Sequence, residues 1–413
     1  MASLDDDFLN GGRKHLRAGE LQEAEECFRK ALADGGATAS VKVQALEGLS
    51  KVCSKQGRLD EALARSEEAV RAAREMSDPV MKARTLRASA DLHVLRGEYE
   101  KALDVVEAAY EVPDNGPTDR AKALHRKGRL FTSWGRFDEA FEAYQQSFQV
   151  PGPDVGRDFG VVGMMTLGVK FKNLGLYDKA LTCYETALPV CDDDSLTKHK
   201  STLLNHIGVV YRNIGQYQRA ERYFNESLAI RAGAGIVDGM GDALAFIGLG
   251  MVCSELDRLD EALKYFERGL SIQRRIGHDT CVTNHVVGSA LLNAGRIDEA
   301  EPYILDGGND SSVGRLYLAK SEWDAAEQLY DRLRRAHETG GTTFFLFGAY
   351  TGLGRAYEGR GEYEKAAEFY HKATQHIEDV RSNLDFEDRE RFFDVAYEGF
   401  SRTEPYKGLA RVL

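Results

Sequence analysis

A short motif recurs along this chain: a glycine, any residue, an apolar residue, two further residues and an alanine. It opens at Gly19, Gly57, Gly97, Gly135, Gly175, Gly215, Gly295 and Gly361, and Asp257 and Ser321 hold the glycine's place in two more copies. Successive copies lie 38, 40, 38, 40, 40, 42, 38, 26 and 40 residues apart. Such a spacing accommodates two helices and a turn. Stacked units of that kind bury a core along one axis rather than around one centre. The 413 residues therefore need not divide into separate compact domains, as a chain of that length otherwise tends to.

Each part of the motif has a physical reason. A glycine can enter the left-handed conformation that stops a helix without a Cβ clash. The alanine five residues later lets the second helix approach the first. Seven residues before the turn stands another small residue: Gly12, Ser50, Ala90, Gly128, Gly168, Gly208, Gly250, Gly288, Gly314 or Gly354. A helix-interior glycine costs about 1 kcal/mol relative to alanine, so its repetition requires close packing in return. Large residues recur on the second helix at Phe28, Tyr144, Tyr184, Phe224, Phe266, Tyr330 and Tyr370, giving one apolar stripe per helix. Asn205 to Ile230 is the cleanest copy.

Ten in-phase copies over about residues 5–376 resemble the tetratricopeptide repeat family. The implied fold is all-α: a TPR superhelical solenoid of about ten helical hairpins plus a C-terminal helical extension. The period exceeds the family's usual length by one to two helical turns, and long repeats of this type look like those of kinesin light chains and of Pins-class polarity adaptors. Two places are irregular. The stretch 150–158 (VPGPDVGRD) reads as a bend, and the 26-residue interval implies shortened helices within 300–321. The expected domains are a repeat array over 1–376 and a helical connector or cap over 377–413.

The net charge of −12 argues against a general nucleic-acid binder. No apolar run is long enough for a transmembrane helix, and the acidic N-terminus has no signal-peptide core. Six cysteines without a CxxC pair suit reduced thiols and a cytoplasmic location.

The tail departs from the pattern. Asp385 to Phe400 reads as a helix with Phe386, Phe392, Phe393, Val395 and Phe400 as its apolar set, and Pro405 is placed to start another. That second helix reaches Leu413 with its apolar face unfinished, as in a chain cut short of a further domain. The segments IEDVRSNLDFEDRERFF and YKGLARVL resemble the connector of bacterial TPR–CHAT proteins, where a caspase-like cysteine protease follows the repeats. The protease's His and Cys motifs do not occur in this sequence. The resemblance implies a sensor and regulatory arm, with a protease domain in cis and nucleic acid met only indirectly through a nucleoprotein partner.

In the family, first helices line the inner groove. The residues expected there are Lys51, Arg84, Arg87, Lys122, His125 and Arg129, then Met165, Asn205, Val209, Ile247 and Met251, with Val162, Val169 and Leu244 alongside. Such a groove is basic at one end and apolar in the middle. It suits a peptide or protein partner with acidic and apolar parts, and methionine helps a surface adapt. The competing reading is solvated charge and ordinary core. His278, Cys281 and His285 have zinc-like spacing but no evident fourth ligand; an ordinary helix start explains them. Gly233 to Gly241 has no strand before it and no Gly-Lys-Ser/Thr after it, so it reads as a linker. Glu368 and His371 form one half-motif of a di-iron site, the level expected by chance. No catalytic residue, metal or cofactor is expected, and the chain reads as a non-enzymatic interaction scaffold, either the TPR–CHAT arm or a free-standing adaptor of the kinesin-light-chain or Pins type.

Overall fold

A computed structural model describes residues 4–33, 37–151, 155–192, 194–237, 239–307, 309–340, 346–382, 396–397 and 400–413. The fold is an all-α solenoid of paired helices. It divides into two compact units, Met1–Leu203 and Leu204–Leu413.

The first unit pairs α1 (Leu4–Ala18) with α2 (Leu21–Ala33), α3 (Ala39–Lys55) with α4 (Leu59–Arg74), and α5 (Pro79–Arg96) with α6 (Tyr99–Tyr110). It continues with α7 (Pro117–Trp134) and α8 (Phe137–Phe148), then α9 (Val155–Asn173) and α10 (Tyr177–Ala187). Helix α11 (Thr197–Asn213) straddles the division and pairs in sequence with α12 (Tyr217–Gly233). The second unit adds α13 (Met240–Glu255) with α14 (Leu259–Arg275), α15 (Cys281–Asn293) with α16 (Ile297–Gly307), and α17 (Asp310–Ala319) with α18 (Trp323–Gly340). Helices α19 (Leu346–Gly359) and α20 (Tyr363–Ser382) form the tenth hairpin, and α21 (Glu404–Val412) ends the chain.

All ten predicted turns fall between paired helices, and all ten turn residues are left-handed. The eight glycines have φ from 73° to 83°, Asp257 has 57° and Ser321 has 60°. Prolines 79 and 117 sit at helix starts, where a missing N–H costs nothing.

The small residue seven before the turn makes room for a ring. A methyl group at Gly128 would lie 2.4 Å from Tyr144, at Gly168 2.4 Å from Tyr184, and at Gly208 2.9 Å from Phe224. A second glycine, on the next hairpin's first helix, often closes the other side. Gly48 faces Phe28, Gly163 faces Tyr144, Gly248 faces Phe224 and Gly352 faces Tyr330. Phe28, Tyr144, Phe224 and Tyr330 are at most 1 % exposed. Burying such a ring contributes about 2–3 kcal/mol, enough to offset the propensity cost of the glycines around it.

The short interval holds two short helices, with 11 residues in α16 and 10 in α17. Two expectations need correction. Helix α9 already begins at Val155, so 155–158 belongs to a helix and not to the anticipated bend; Ser147 Oγ donates to Gly156 O at 2.7 Å, seating that first turn on α8. Residues 152–154 of the bend lie outside the described residues. In the tail, most of the helix expected over Asp385 to Phe400 also lies outside them (383–395 and 398–399). Its described end is not helical: Ala396–Tyr397 pairs antiparallel with Phe400–Ser401, where two aromatic residues favour extended backbone. Pro405 does lie at the start of α21. There Gly408 meets the Tyr370 ring at 2.4 Å from its would-be methyl, as Gly352 meets Tyr330. Arg411 adds bonds of 2.8 and 3.1 Å to the Glu358 carboxylate. Helix α21 thus packs as the first helix of an eleventh hairpin would.

Candidate functional site

The first helices α3, α5 and α7 place six of their polar and charged residues at two repeated offsets. Glu47, Arg87 and His125 lie ten residues before their turns; Lys51, Asp91 and Arg129 lie six before. In the first unit these residues surround a recess of about 470 Å³, within the size range of ligand-binding clefts. All six basic residues expected from the sequence line it: Lys51, Arg84, Arg87, Lys122, His125 and Arg129. Arg126 is a further cation, and Phe159 and Val80 supply apolar surface.

Three carboxylates share the recess. Arg84 Nη2 donates to Glu47 Oε2 at 2.9 Å, and Thr85 Oγ1 donates to Glu47 Oε1 at 2.7 Å. Arg87 Nη2 donates to Asp119 Oδ1 at 2.7 Å, with both side chains 7 % exposed. Lys122 reaches the same Asp119 oxygen at 3.6 Å, and Arg126 pairs with Asp91. Lys51 and Arg129 are exposed and have no ion-pair partner among the described residues. Six formal cations face three carboxylates, so the recess is net positive in a chain of charge −12.

These pairs correct the weight given to Arg87. It is a buried structural partner of Asp119 and not a free groove cation; burial pulls its guanidinium pKa down, and the bond and charge of Asp119 act against that. Removing one member of such a pair leaves an uncompensated buried charge, at a cost of about 3–5 kcal/mol. His125 is also held internally. Its Nδ1 faces the Phe159 carbonyl at 3.0 Å, which fixes the proton on that nitrogen in the neutral ring. Burial lowers its pKa from the usual 6.5, so it contributes a polar edge rather than a charge at neutral pH.

The apolar candidates scatter. Met165 on α9 is part-buried in the first unit. In the second unit Val209 is part-buried, and Leu244 is 50 % exposed. Ile247 is core: it packs with Phe266 and Leu270, and a methyl at Gly269 would lie 2.9 Å from it. Met251 borders the same cluster. Asn205 is 6 % exposed, and its Nδ2 donates to Gly241 O at 3.0 Å. It ties one hairpin to the next. The expectation of an open apolar groove at Asn205 and Ile247 is therefore wrong: Asn205 is turned toward α13 of the following hairpin, and Ile247 is packed against α14, the second helix of its own hairpin.

The other motifs resolve into structure. The glycine-rich stretch joins α12 to α13, and its glycines clear space for Arg231. A methyl at Gly241 would lie 2.7 Å from the Arg231 guanidinium, which binds Asp242 through two bonds of 2.9 and 3.1 Å. Cys281 opens α15, with its backbone N donating to Asp279 Oδ1 at 2.9 Å. Among the described residues no three His, Cys, Asp or Glu side chains group as a metal site. All six cysteines are free; burial pushes the Cys183 thiol up to about 12 and Cys191 up to about 11, far from the thiolate a nucleophile needs. Among the described residues no helix is long and apolar enough to cross a membrane.

Models of the tetratricopeptide repeat match residues 42–115 and 166–232, 121–151 and 243–275, and 349–383, together more than half of the chain. No curated protein matches it. Among solved structures, the apo form of RapI is similar over 84% of this chain and 99% of its own, at 10% identity and a TM-score of 0.57, a likeness of fold. BtubC (BKLC) from P. vanneervenii is 23% identical over 53% of this chain and 92% of its own, with a TM-score of 0.41. A putative kinesin light chain from Podosopora anserina with nearly identical TPR-like repeats is 16% identical over 49% of this chain and 100% of its own, with a TM-score of 0.35.

Proposed function

The chain belongs to the tetratricopeptide repeat family, and from that premise we propose that it is a protein-interaction scaffold that holds an acidic segment of a protein or peptide partner in the recess of its first unit. One observation carries this reading: six cations around one recess against three carboxylates, in an otherwise acidic chain. The paired arginines form a fixed frame, and Lys51 and Arg129 are the cations free to meet a ligand carboxylate. Phe159 and Val80 offer apolar contact beside them. Such an arrangement steers an acidic partner and fixes its register.

Within that reading, the sharper version is a sensor and regulatory arm of the TPR–CHAT type. The resemblance of the tail supports it. Partner binding would then bend the array and reposition a protease domain. A free-standing adaptor of the kinesin-light-chain or Pins type is the alternative.

The test begins with a photo-crosslinking amino acid in place of Arg126, at the recess, in the full chain expressed in its native host. The expected result is one dominant crosslinked protein, joined through an acidic segment located by mass spectrometry. Crosslinks only to abundant proteins, without a common acidic segment, would contradict the proposal.

A further inference from the structure

Arg315 on α17 is placed unlike the other wholly or partly buried arginines described above. It is part-buried, its Nη2 donates to Asn293 Oδ1 at 2.6 Å, and it forms no ion pair among the described residues. Arg87, Arg231, Arg84 and Arg58 each bind a carboxylate. Two polar atoms on the neighbouring first helix α15 share its condition. His285 Nδ1 and Ser289 Oγ are buried with no hydrogen-bond partner among the described residues. Arg355 on α19 is exposed and unpaired among the described residues, and its charge acts on Arg315.

The placement is systematic. Ser289, Arg315 and Arg355 each lie six residues before the turn of their hairpin. Lys51 and Arg129 hold the same place in the first unit. Helix α17 packs against both α15 and α19, so three successive first helices bring these groups to one face. A part-buried guanidinium without a counter-charge is unfavourable, and so are a ring nitrogen and a hydroxyl without partners. Three uncompensated groups gathered from two adjacent helices call for a common acceptor. A neutral or cationic ligand would leave Arg315 unpaired. An oxyanion would satisfy all of them: the guanidinium fork matches a carboxylate or a phosphate, the Ser289 hydroxyl donates one bond, and the His285 Nδ1–H tautomer donates another.

We infer that Arg315, Arg355, Ser289 and His285 form an oxyanion site on the first helices of hairpins eight to ten, which takes a carboxylate or phosphate group. The inference stands apart from the recess of the first unit, and its test does not involve the partner. The full chain is heated in inorganic phosphate and, separately, in acetate, with ionic strength held constant by chloride. An anion that binds only the folded chain raises the midpoint in a saturable way.

The expected result is such a rise in one of the two anions, which names the source: phosphate for a phosphoryl group, acetate for a carboxylate. The rise persists in Arg129→Met, which removes a recess cation, and its half-saturation concentration increases about tenfold in Arg315→Met. If Arg315→Met does not fold, Arg355→Met combined with Ser289→Ala carries the same expectation of weakening. A rise unchanged by the second-unit variants, a rise lost in Arg129→Met, or no saturable rise in either anion would overturn the assignment.

Discussion

Left-handed backbone costs an ordinary L-residue about 1–2 kcal/mol, and Asp257 (φ 57°) and Ser321 (φ 60°) bear that cost at turns where eight hairpins use glycine. Replacing either by glycine relieves the strain but adds chain entropy to the unfolded state, so Asp257→Gly and Ser321→Gly each stabilise by a net of about 0.5–1 kcal/mol. Urea titration reads this as a higher midpoint at constant slope; a lower midpoint would show that the side chains hold the turns. The opposite sign holds for the helix glycines. Gly163→Ala raises helix propensity by about 1 kcal/mol, yet its methyl would lie 2.1 Å from Tyr144, and overpacking of that kind costs about 1–3 kcal/mol or more. Net destabilisation is expected, smaller when Tyr144→Leu is added, and it is checked by the same titration. Sequence reading found the turn residues and the first glycine of each cradle because their spacing is fixed within a hairpin. It missed Gly48, Gly163, Gly248 and Gly352, which lie 20, 19, 24 and 22 residues after the rings they face. Inter-hairpin links vary in length, so the distance from each ring is not constant; Gly48, Gly248 and Gly352 do share one place, nine residues before their own turns, but Gly163 lies twelve before its turn.

At the scale of the element, a first helix does two jobs: one face packs on its neighbours and the other presents side chains at fixed offsets before the turn. The sequence made the offsets legible, and all six basic candidates of the first unit line one recess. Selecting by charge hid the carboxylates in the same register. Glu47 aligns with Arg87 and His125, and Asp91 aligns with Lys51 and Arg129; with Asp119 these carboxylates pair with four of the six cations. Asn205 and Ile247 were misread for a related reason: a period assigns a face, but whether a helix of the same or the next hairpin covers that face depends on its approach. The coupling of α7 to α9 through His125 has a pH signature. Burial lowers the His125 pKa below its unfolded value of about 6.5, so the unfolded chain binds the extra proton first, and stability falls as pH drops below that value. His125→Asn, which keeps a donor toward the Phe159 carbonyl, flattens that fall. Thermal midpoints measured from neutral to mildly acidic pH check it, and an unchanged slope would assign the loss to other groups, such as His285, which burial also lowers.

For the molecule as a whole, the acidic net charge and the positive recess work together. The acidic surface discourages non-specific contact with nucleic acid, while on the proposed function the recess would concentrate attraction for an acidic segment in one place. Among the recess cations, Lys51 and Arg129 separate binding from folding. Reversing Arg87 would leave Asp119 buried beside a like charge and destabilise the first unit, so loss of binding there would be uninformative. Exposed side chains that lack a carboxylate partner are expected to change stability by less than about 0.5 kcal/mol when altered. The decisive measurement is therefore the affinity of the crosslinked partner segment for the wild-type chain and for the Lys51→Glu, Arg129→Glu double variant, across a salt series. The account predicts binding at least about tenfold weaker in the variant, a shallower salt dependence and an unchanged thermal midpoint. Equal affinities and equal salt slopes for the two chains would contradict it.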